Sequence, residues 1–122
     1  MEMIVDNQKL KSAILTGLAD PEMVSIINST MDQSRSVSAI IRETSIPHTS
    51  VYRKIKWLVD NNLLVVDKVA VSDDGKKYSL FHSAFRALII RYENSQIVVE
   101  ANQNIDPVNR LTERFFSLNE RG

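Results

Sequence analysis

Cysteine is absent from the 122 residues, and glycine and proline occur only three times each. The lack of cysteine excludes disulfides and thiolate metal sites, and it fits a reducing compartment such as the cytoplasm. Three glycines leave little room for a phosphate-binding loop, and the sequence contains neither a P-loop nor a GxGxxG pattern. No apolar run approaches the roughly 20 residues that span a bilayer. Met1–Asp6 shows no basic region before an apolar core, so we expect neither a membrane segment nor a secretory signal.

Patterns typical of enzymes are also missing. The two histidines, His48 and His82, lie far apart and in no metal-ligand spacing, so His82 is interpreted as structural. Ser50 is not in a nucleophile elbow, and the acidic residues are scattered rather than paired. We therefore predict a protein that is not an enzyme and that has no cofactor and no metal site.

The charge of the chain is balanced overall but not locally. Fifteen basic and fifteen acidic residues give a net charge of zero, which argues mildly against a nucleic-acid partner. Residues 35–56, however, hold five basic residues and one acidic residue, whereas residues 1–34 carry a net charge of −3. The role of this basic segment depends on the structure that it forms.

Apolar residues at helical spacing predict two helices near the N-terminus. The first covers residues 8–18, and Asp20-Pro21-Glu22 starts the second, because Asp caps, Pro suits the first turn and Glu complements the dipole. The apolar faces are expected to consist of Leu10, Ile14 and Leu18 in the first helix and of Val24, Ile27 and Met31 in the second.

Two further helices are predicted on either side of a proline break. Ser38 is expected to cap a short helix that contains Ile40 and Ile41, and Ser45-Ile46-Pro47 ends it. A longer helix then runs from about His48 to Asn62. Its apolar stripe consists of Val51, Ile55, Leu58 and Val59.

The second half of the chain is predicted to form two hairpins and a last helix. Residues 63–72 and 77–82 flank an Asp-Gly turn signal at Asp73-Asp74-Gly75-Lys76. Residues 86–92 and 96–101 flank a second turn. Asp106-Pro107 repeats the pattern of a helix start, so we predict an amphipathic C-terminal helix within residues 102–122, following a domain that occupies residues 1–101.

The order of these elements is that of a winged helix-turn-helix, an α+β fold, here with an extra β-hairpin and a C-terminal helix. Residues 37–56 (VSAIIRETSIPHTSVYRKIK) resemble the helix-turn-helix of ArsR-like transcription regulators, most closely the archaeal ones. Residues 58–64 (LVDNNLL) resemble the segment that joins their recognition helix to the wing, and Leu18-Ala19-Asp20-Pro21 resembles the start of their second helix. The resemblance covers about residues 10–82 well, and it extends more loosely to the second hairpin.

This resemblance implies a homodimeric transcription regulator that binds double-stranded DNA in the cytoplasm. At 100° per residue, the 48–62 helix has Thr49, Ser50, Arg53, Lys56 and Trp57 opposite its core stripe, with His48 at its tip. Arg53 is the best candidate for a bidentate contact with guanine. The predicted DNA-binding residues are His48, Thr49, Ser50, Tyr52, Arg53, Lys54, Lys56 and, in the wing, Lys76 and Lys77.

Two features of the sequence depart from the family pattern. Ser45 stands where the family's turn often has glycine, which tolerates positive φ. Metal-sensing members use cysteine ligands, so thiolate-based sensing does not carry over to this chain.

Two questions of assembly stay open at the level of sequence. The C-terminal helix can pair with a second subunit, as we favour, or fold back on its own domain; the predicted dimer contacts are Leu10, Ile14, Val108, Leu111, Phe115, Phe116 and Leu118. A small-molecule effector, unidentified from sequence, could lie against the second hairpin and the last helix. The alternative function is a winged-helix protein-protein interaction module in a transcription-related assembly, which the zero net charge, the acidic wing tip and an outward Trp57 favour.

Overall fold

A computed structural model of the protein describes residues 2–104. It has a mixed α+β fold with four helices and antiparallel sheets among these residues. The elements in chain order are β1 (Glu2–Ile4), α1 (Gln8–Leu18), α2 (Pro21–Ser29), α3 (Val37–Thr44), α4 (His48–Asp60), β2 (Leu64–Val71), β3 (Lys77–Ser83), β4 (Phe85–Glu93) and β5 (Gln96–Gln103). The four predicted helices and both hairpins are confirmed. The predicted C-terminal helix lies outside the described residues, as do Val108, Leu111, Phe115, Phe116 and Leu118.

Side chains cap the first three helices. Asn7 accepts a hydrogen bond from the Leu10 amide at the start of α1, and Asp20 accepts from the amides of Glu22 and Met23 at the start of α2. The prediction for α3 was wrong in detail, because its cap is Ser36 rather than Ser38. The Ser36 hydroxyl accepts from the Ala39 amide at 3.2 Å, which moves the helix start two residues earlier than predicted.

The strands form two antiparallel sheets. β2 and β3 make the wing, and the backbone of Arg35 extends it by a single bridge to Phe81. The second sheet has the order β1-β5-β4. The sequence patterns did not predict β1, whose three residues pair with one edge of β5 and depend on that neighbour.

Both hairpin turns follow from local sequence. Gly75 has a φ of 82° in the wing turn, as an Asp-Gly turn requires. Asn94 and Ser95 have φ values of 53° and 62° and form a two-residue turn between β4 and β5. Positive φ at both central residues is the signature of a type I′ turn, which matches the right-handed twist of the strands.

A single core joins the helices to the start of the wing and to β5. Its most deeply buried side chains include Ile14, Ile26, Ile40, Val51, Leu58, Leu63, Leu64 and Val99. On α2 the predicted inward face is offset by one residue: Met23 and Ile26 are buried, whereas Val24, Ile27 and Met31 are half-buried. Leu18 was also expected to face the core, but its side chain is 37% exposed.

Two predicted dimer contacts belong to this core. Ile14 is completely buried inside its own chain, and Leu10 is half-buried against the same core. Ile14 therefore has no surface to offer to a second subunit, and our prediction for it is replaced by a role in the core. Apolar spacing alone could not distinguish the two roles, since both require an apolar residue on one helix face.

Candidate nucleic-acid interface

The three-residue connection between α3 and α4 fixes the position of the candidate interface. Ser45 adopts a left-handed conformation with φ 61° and ψ 20°, a conformation that favours glycine. Its amide donates to the Ile41 carbonyl at 2.8 Å, and Ile46 is buried beneath the turn. Serine therefore preserves the turn, at some cost in backbone strain.

One face of α4 packs against the core, and the opposite face is exposed to solvent. Val51, Ile55 and Leu58 are buried, as predicted, while Val59 is half-buried. The opposite face exposes His48, Thr49, Tyr52, Arg53 and Lys56, and Ser50 is half-buried beside them. Six of the predicted DNA-binding residues thus share the outward side of α4.

The N-terminus of α4 differs from those of the other three helices. Its N-cap residue is Pro47, which makes no side-chain hydrogen bond, and the first turn contains no acidic residue. The His48 and Thr49 side chains that flank this end are exposed. Helix N-termini carry free amides and the positive end of the dipole, so this end is compatible with a phosphate group.

His48 and Tyr52 lie one turn apart and pack their rings together. The ring centroids are 6.2 Å apart with an interplanar angle of 30°. Such a pair restricts the rotamers of both side chains on the outward face of α4. It leaves Tyr52 56% exposed, so the ring presents a broad aromatic surface to solvent.

Lys54 is oriented differently from its neighbours. Its ammonium nitrogen donates to Asp20 Oδ1 at 3.0 Å and to Oδ2 at 2.7 Å, and it lies 2.9 Å from Glu22 Oε1. Only 11% of the side chain is exposed. These hydrogen bonds raise the pKa of Lys54 and lower the pKa of Asp20. Lys54 therefore fastens α4 to the N-terminus of α2, and we replace its predicted phosphate contact with this positioning role.

The remaining cations of the 35–56 segment fall into two groups. Arg35 is paired with Glu43 at 3.0 Å, and Lys56 with Asp60 at 2.9 Å in an exposed pair. Arg42 and Arg53 are exposed, and neither forms an ion pair within residues 2–104. Arg35 and Lys54 are therefore engaged by carboxylates of their own chain, whereas Lys56 has only a weak exposed pair and stays accessible beside Arg42 and Arg53.

Arg42 was counted in the basic segment but was not among the predicted site residues. It lies in the last turn of α3, directly before the turn into α4. A cation in the last turn also stabilises the C-terminal end of its own helix, which is a sufficient reason for an arginine at this position. Arg42 is linked with the interface only by its exposure and its position. Its place before the turn was the sequence signal that could have included it.

The wing supplies two exposed lysines, Lys76 and Lys77, at the start of the returning strand. The acidic wing tip is organised by its own turn: Asp74 accepts hydrogen bonds from the Ser72 hydroxyl and, at 3.5 Å, from the Lys76 amide. These bonds lower the pKa of Asp74, the Ser72 hydroxyl contributing most. One of the two wing carboxylates is thus directed into the turn, whereas Asp73 is exposed.

Trp57 does not point outward as the helical projection suggested. It is half-buried and packs against the core, with its ring beside Gly17 of α1. A Cβ at Gly17 would lie 2.9 Å from Leu63 Cδ2 but 3.8 Å from Trp57 Cζ3, so glycine permits the close approach of Leu63, while the Trp57 ring lies at ordinary contact distance. The argument for a partner protein that relied on an outward Trp57 is therefore withdrawn.

His82 and an open cleft are the other candidates for a functional site. His82 is half-buried, with its Nδ1 3.1 Å from the Ser83 carbonyl oxygen. Among residues 2–104, no group of histidine and acidic side chains is arranged to hold a metal ion, and no helix is both long and apolar enough to cross a bilayer. An open cleft of about 580 Å³ lies between the second hairpin, α1 and the segment after β1; it is lined by Lys11, Leu15, Tyr92 and Ile97, among others.

Comparisons with known proteins give only distant structural likeness. No protein-family model matches the chain, and no curated protein matches it. Among solved structures, the chain is similar to the crystal structure of NolR from Sinorhizobium fredii, with 12% identity and a TM-score of 0.42 over 90% of this chain and 84% of that one. A likeness at this level carries no argument, so the proposals below depend on the residues described above.

Proposed function

We propose that the protein is a transcriptional regulator that binds double-stranded DNA with sequence preference and acts as a homodimer. The outward face of α4 is the observation that carries this proposal. It combines exposed Arg53 and Lys56 with an uncapped helix N-terminus and the His48–Tyr52 ring pair. A helix of this kind, followed by a hairpin, matches the docking mode in which the helix enters the major groove and the hairpin contacts the backbone.

Each side chain has a role in this proposal. Arg53 reads guanine through its planar fork, while Thr49 and Ser50 donate to bases or phosphates near the helix tip. Lys56 on α4 and the wing residues Lys76 and Lys77 neutralise phosphates on either side of the groove that α4 enters. Two copies on a twofold site double these contacts, which is the reason for proposing a homodimer. The ArsR-like and archaeal assignment and the cytoplasmic location stay predictions from the sequence.

The proposal is tested by fluorescence anisotropy with a pool of random duplex DNA over a salt series, with light scattering on the same sample. Because Lys54 is bound to Asp20 and Glu22, four of the basic residues predicted to contact DNA remain available: Arg53, Lys56, Lys76 and Lys77. They correspond to a log–log slope of about −3.6 for each bound copy, and about twice that for a dimer.

The matched control is Lys9→Ala on α1, which removes one exposed lysine outside the proposed interface. It should leave the slope unchanged, whereas Lys77→Ala should make it shallower by about 0.9 for each bound copy, or about 1.8 for a dimer. A monomer that does not bind DNA even at low salt would refute the proposal.

A second candidate function is a protein-protein interaction module in a transcription-related assembly. The wing favours it, because β2 exposes Val65, Val66, Val69 and Val71 to between 44% and 62%. Exposed neighbouring valines on a strand are typical of an interaction surface or an aggregation hazard. This candidate predicts no salt-dependent DNA affinity, and the same anisotropy series therefore separates the two functions.

A small-molecule effector is compatible with the first function. The cleft beside the second hairpin, at about 580 Å³, falls in the range of roughly 300–1,000 Å³ for ligand sites. Lys11 and Tyr92 provide polar atoms at its edge. Nothing in the lining identifies the chemistry of such a ligand.

A further inference from the structure

A second groove, smaller than the cleft beside the second hairpin, is lined largely by apolar side chains. It runs between the C-terminal end of α1, the outer face of α2 and the beginning of β4, and we refer to it as the α2–β4 groove. Its apolar lining consists of Leu18, Val24, Ile27, Met31, Leu63, Phe85, Ala87 and Leu88. Leu63 and Phe85 are buried in its floor, while the rim residues are half-buried or exposed. The face of α2 that the sequence assigned to the core is thus the wall of this groove.

The volume of the groove favours side chains over a free ligand. It encloses about 220 Å³, which is below the roughly 300 Å³ at which small-molecule sites begin. A row of apolar side chains inserted from above would bury its walls without requiring an enclosed cavity. Covering the half-exposed rim would remove from water the apolar surface that the described residues leave there.

The described chain ends at the edge of this groove. Asn104, the last described residue, is 7% exposed; its amide donates to the Ala84 carbonyl at 3.0 Å. Its side-chain Nδ2 donates to the Met31 carbonyl at 2.7 Å. Met31 lines the groove, so the last described residue lies at its edge. The eighteen residues that follow are thus attached to the chain next to this surface.

The sequence after Asn104 suits the groove. Eighteen residues follow, 105–122, and Val108, Leu111, Phe115 and Leu118 recur at spacings of three and four. As a helix, a segment of this length would extend about 27 Å, enough to lie along an element the size of α2. These positions form one apolar stripe along the helix, and the polar residues between them would face solvent.

We propose that residues 105–122 of the same chain occupy the α2–β4 groove, with their apolar face against Val24, Ile27 and Leu88. The segment then completes the core of its own protomer rather than the surface of a partner. Twofold pairing on DNA would use a different surface. This inference concerns the fold of one protomer and does not depend on DNA binding.

Cross-linking in the 122-residue chain tests the proposal, because a chain without cysteine carries only the thiols that are introduced. Asn28→Cys places a thiol at an exposed position that lines the groove, and Asn119→Cys places one beside the apolar face of the segment. A short bismaleimide should join them within one chain, giving a monomeric cross-linked species whose yield is independent of protein concentration. Thr112→Cys in place of Asn119→Cys lies beside the same face two turns earlier and covers the other register.

The matched control pairs Asn119→Cys with Ser95→Cys. Ser95 is exposed in the turn at the far end of β4, eight residues from Ala87, or about 26 Å along the strand. It should give little cross-linking. A covalent dimer from the Asn28→Cys pairs would show that a second copy supplies the segment, and equal yields from test and control pairs would show no docking; either result overturns the proposal.

Amide hydrogen exchange provides an independent measurement. Leu111→Asp with Phe115→Asp should speed the exchange of amides 27–31 and 87–88 by about tenfold, because these amides lose their cover. Asn109→Asp with Ser117→Asp adds the same two charges on the side of the helix opposite its apolar face and should leave exchange unchanged. Unaltered exchange in the first double variant contradicts the proposal.

Discussion

Replacing Lys54 by methionine should lower the free energy of unfolding by about 1–2 kcal/mol while leaving the salt dependence of DNA binding unchanged. Methionine keeps most of the aliphatic chain that packs between α4 and α2. It removes an ammonium that contacts both oxygens of Asp20 and one oxygen of Glu22. The variant therefore isolates the charge from the packing.

The magnitude follows from the exposure of the partners. Exposed ion pairs contribute about 0.2–1 kcal/mol, and hydrogen bonds to charged groups about 1.5–3 kcal/mol. The Lys54 side chain is 11% exposed, but Asp20 is 28% and Glu22 39% exposed, so water screens the carboxylates that are left behind. Loss of the lysine also leaves two neighbouring carboxylates without their shared cation. We therefore expect the loss in the free energy of unfolding to lie from the top of the first range to the lower part of the second, at about 1–2 kcal/mol.

The same contact determines how the difference depends on pH. The Lys54 hydrogen bond, followed by the Met23 amide, holds the pKa of Asp20 below its ordinary value of 3.8. A depressed carboxyl pKa stabilises the fold above the unfolded-state value, and the stabilisation is lost as the pH falls through the folded-state value. The raised pKa of Lys54 stabilises below 10.5 and is lost as the pH rises through the folded-state value. The stability difference should therefore be constant from about pH 5 to 9 and shrink in acid.

Lys56→Met is the matched control, because it removes the same charge two residues further along α4. Lys56 is 77% exposed and has only the surface pair with Asp60. Its loss should change stability by less than about 0.5 kcal/mol, yet make the DNA-binding slope shallower by about 0.9 for each bound copy. Lys54 and Lys56 should thus show opposite phenotypes.

Urea denaturation at pH 7 and at pH 3 measures the first effect, and anisotropy over a salt series measures the second. The reasoning is refuted if Lys54→Met makes the slope as shallow as Lys56→Met does while stability stays the same. That result would mean that Lys54 leaves Asp20 and Glu22 to reach phosphate.

Three further substitutions test other parts of the structure. Arg53→Ala should relax the sequence preference at one base pair, with a loss of about 1–3 kcal/mol on the preferred site; selection of sites by the variant checks this, and an unchanged preference would exclude Arg53 as the reader. Ser45→Gly should raise stability by up to about 1 kcal/mol, because φ 61° strains serine but not glycine; a loss in thermal denaturation would contradict this. Gly17→Ala should destabilise by up to about 2 kcal/mol, since overpacking against buried Leu63 at 2.9 Å costs about 1–3 kcal/mol and outweighs a helix-propensity gain of about 1; a more stable variant would show that Leu63 can move.

Local sequence signals predicted the secondary structure well where the physics is local. The Asp20-Pro21-Glu22 start, the proline break after Ser45 and the two hairpin turns all depend on a few neighbouring residues. Capping, restricted φ and turn conformation act within about four residues, so the sequence contains them directly. The core stripe of α4 was equally clear, since Val51, Ile55 and Leu58 recur with the helical period.

The sequence could not determine which charges face solvent and which apolar faces belong to the core. Lys54 and Lys56 differ by two positions in a basic run, and only the packing of α2 beside α4 brings two carboxylates to the first and leaves the second exposed. Trp57 packs inward because α1 lies against this side of α4, where its ring comes close to Gly17, forty residues earlier. β1 forms only because β5 offers it an edge. These outcomes depend on residues that are distant along the chain, and a periodic pattern contains no information about which neighbour will meet it, so the tertiary structure alone decided them.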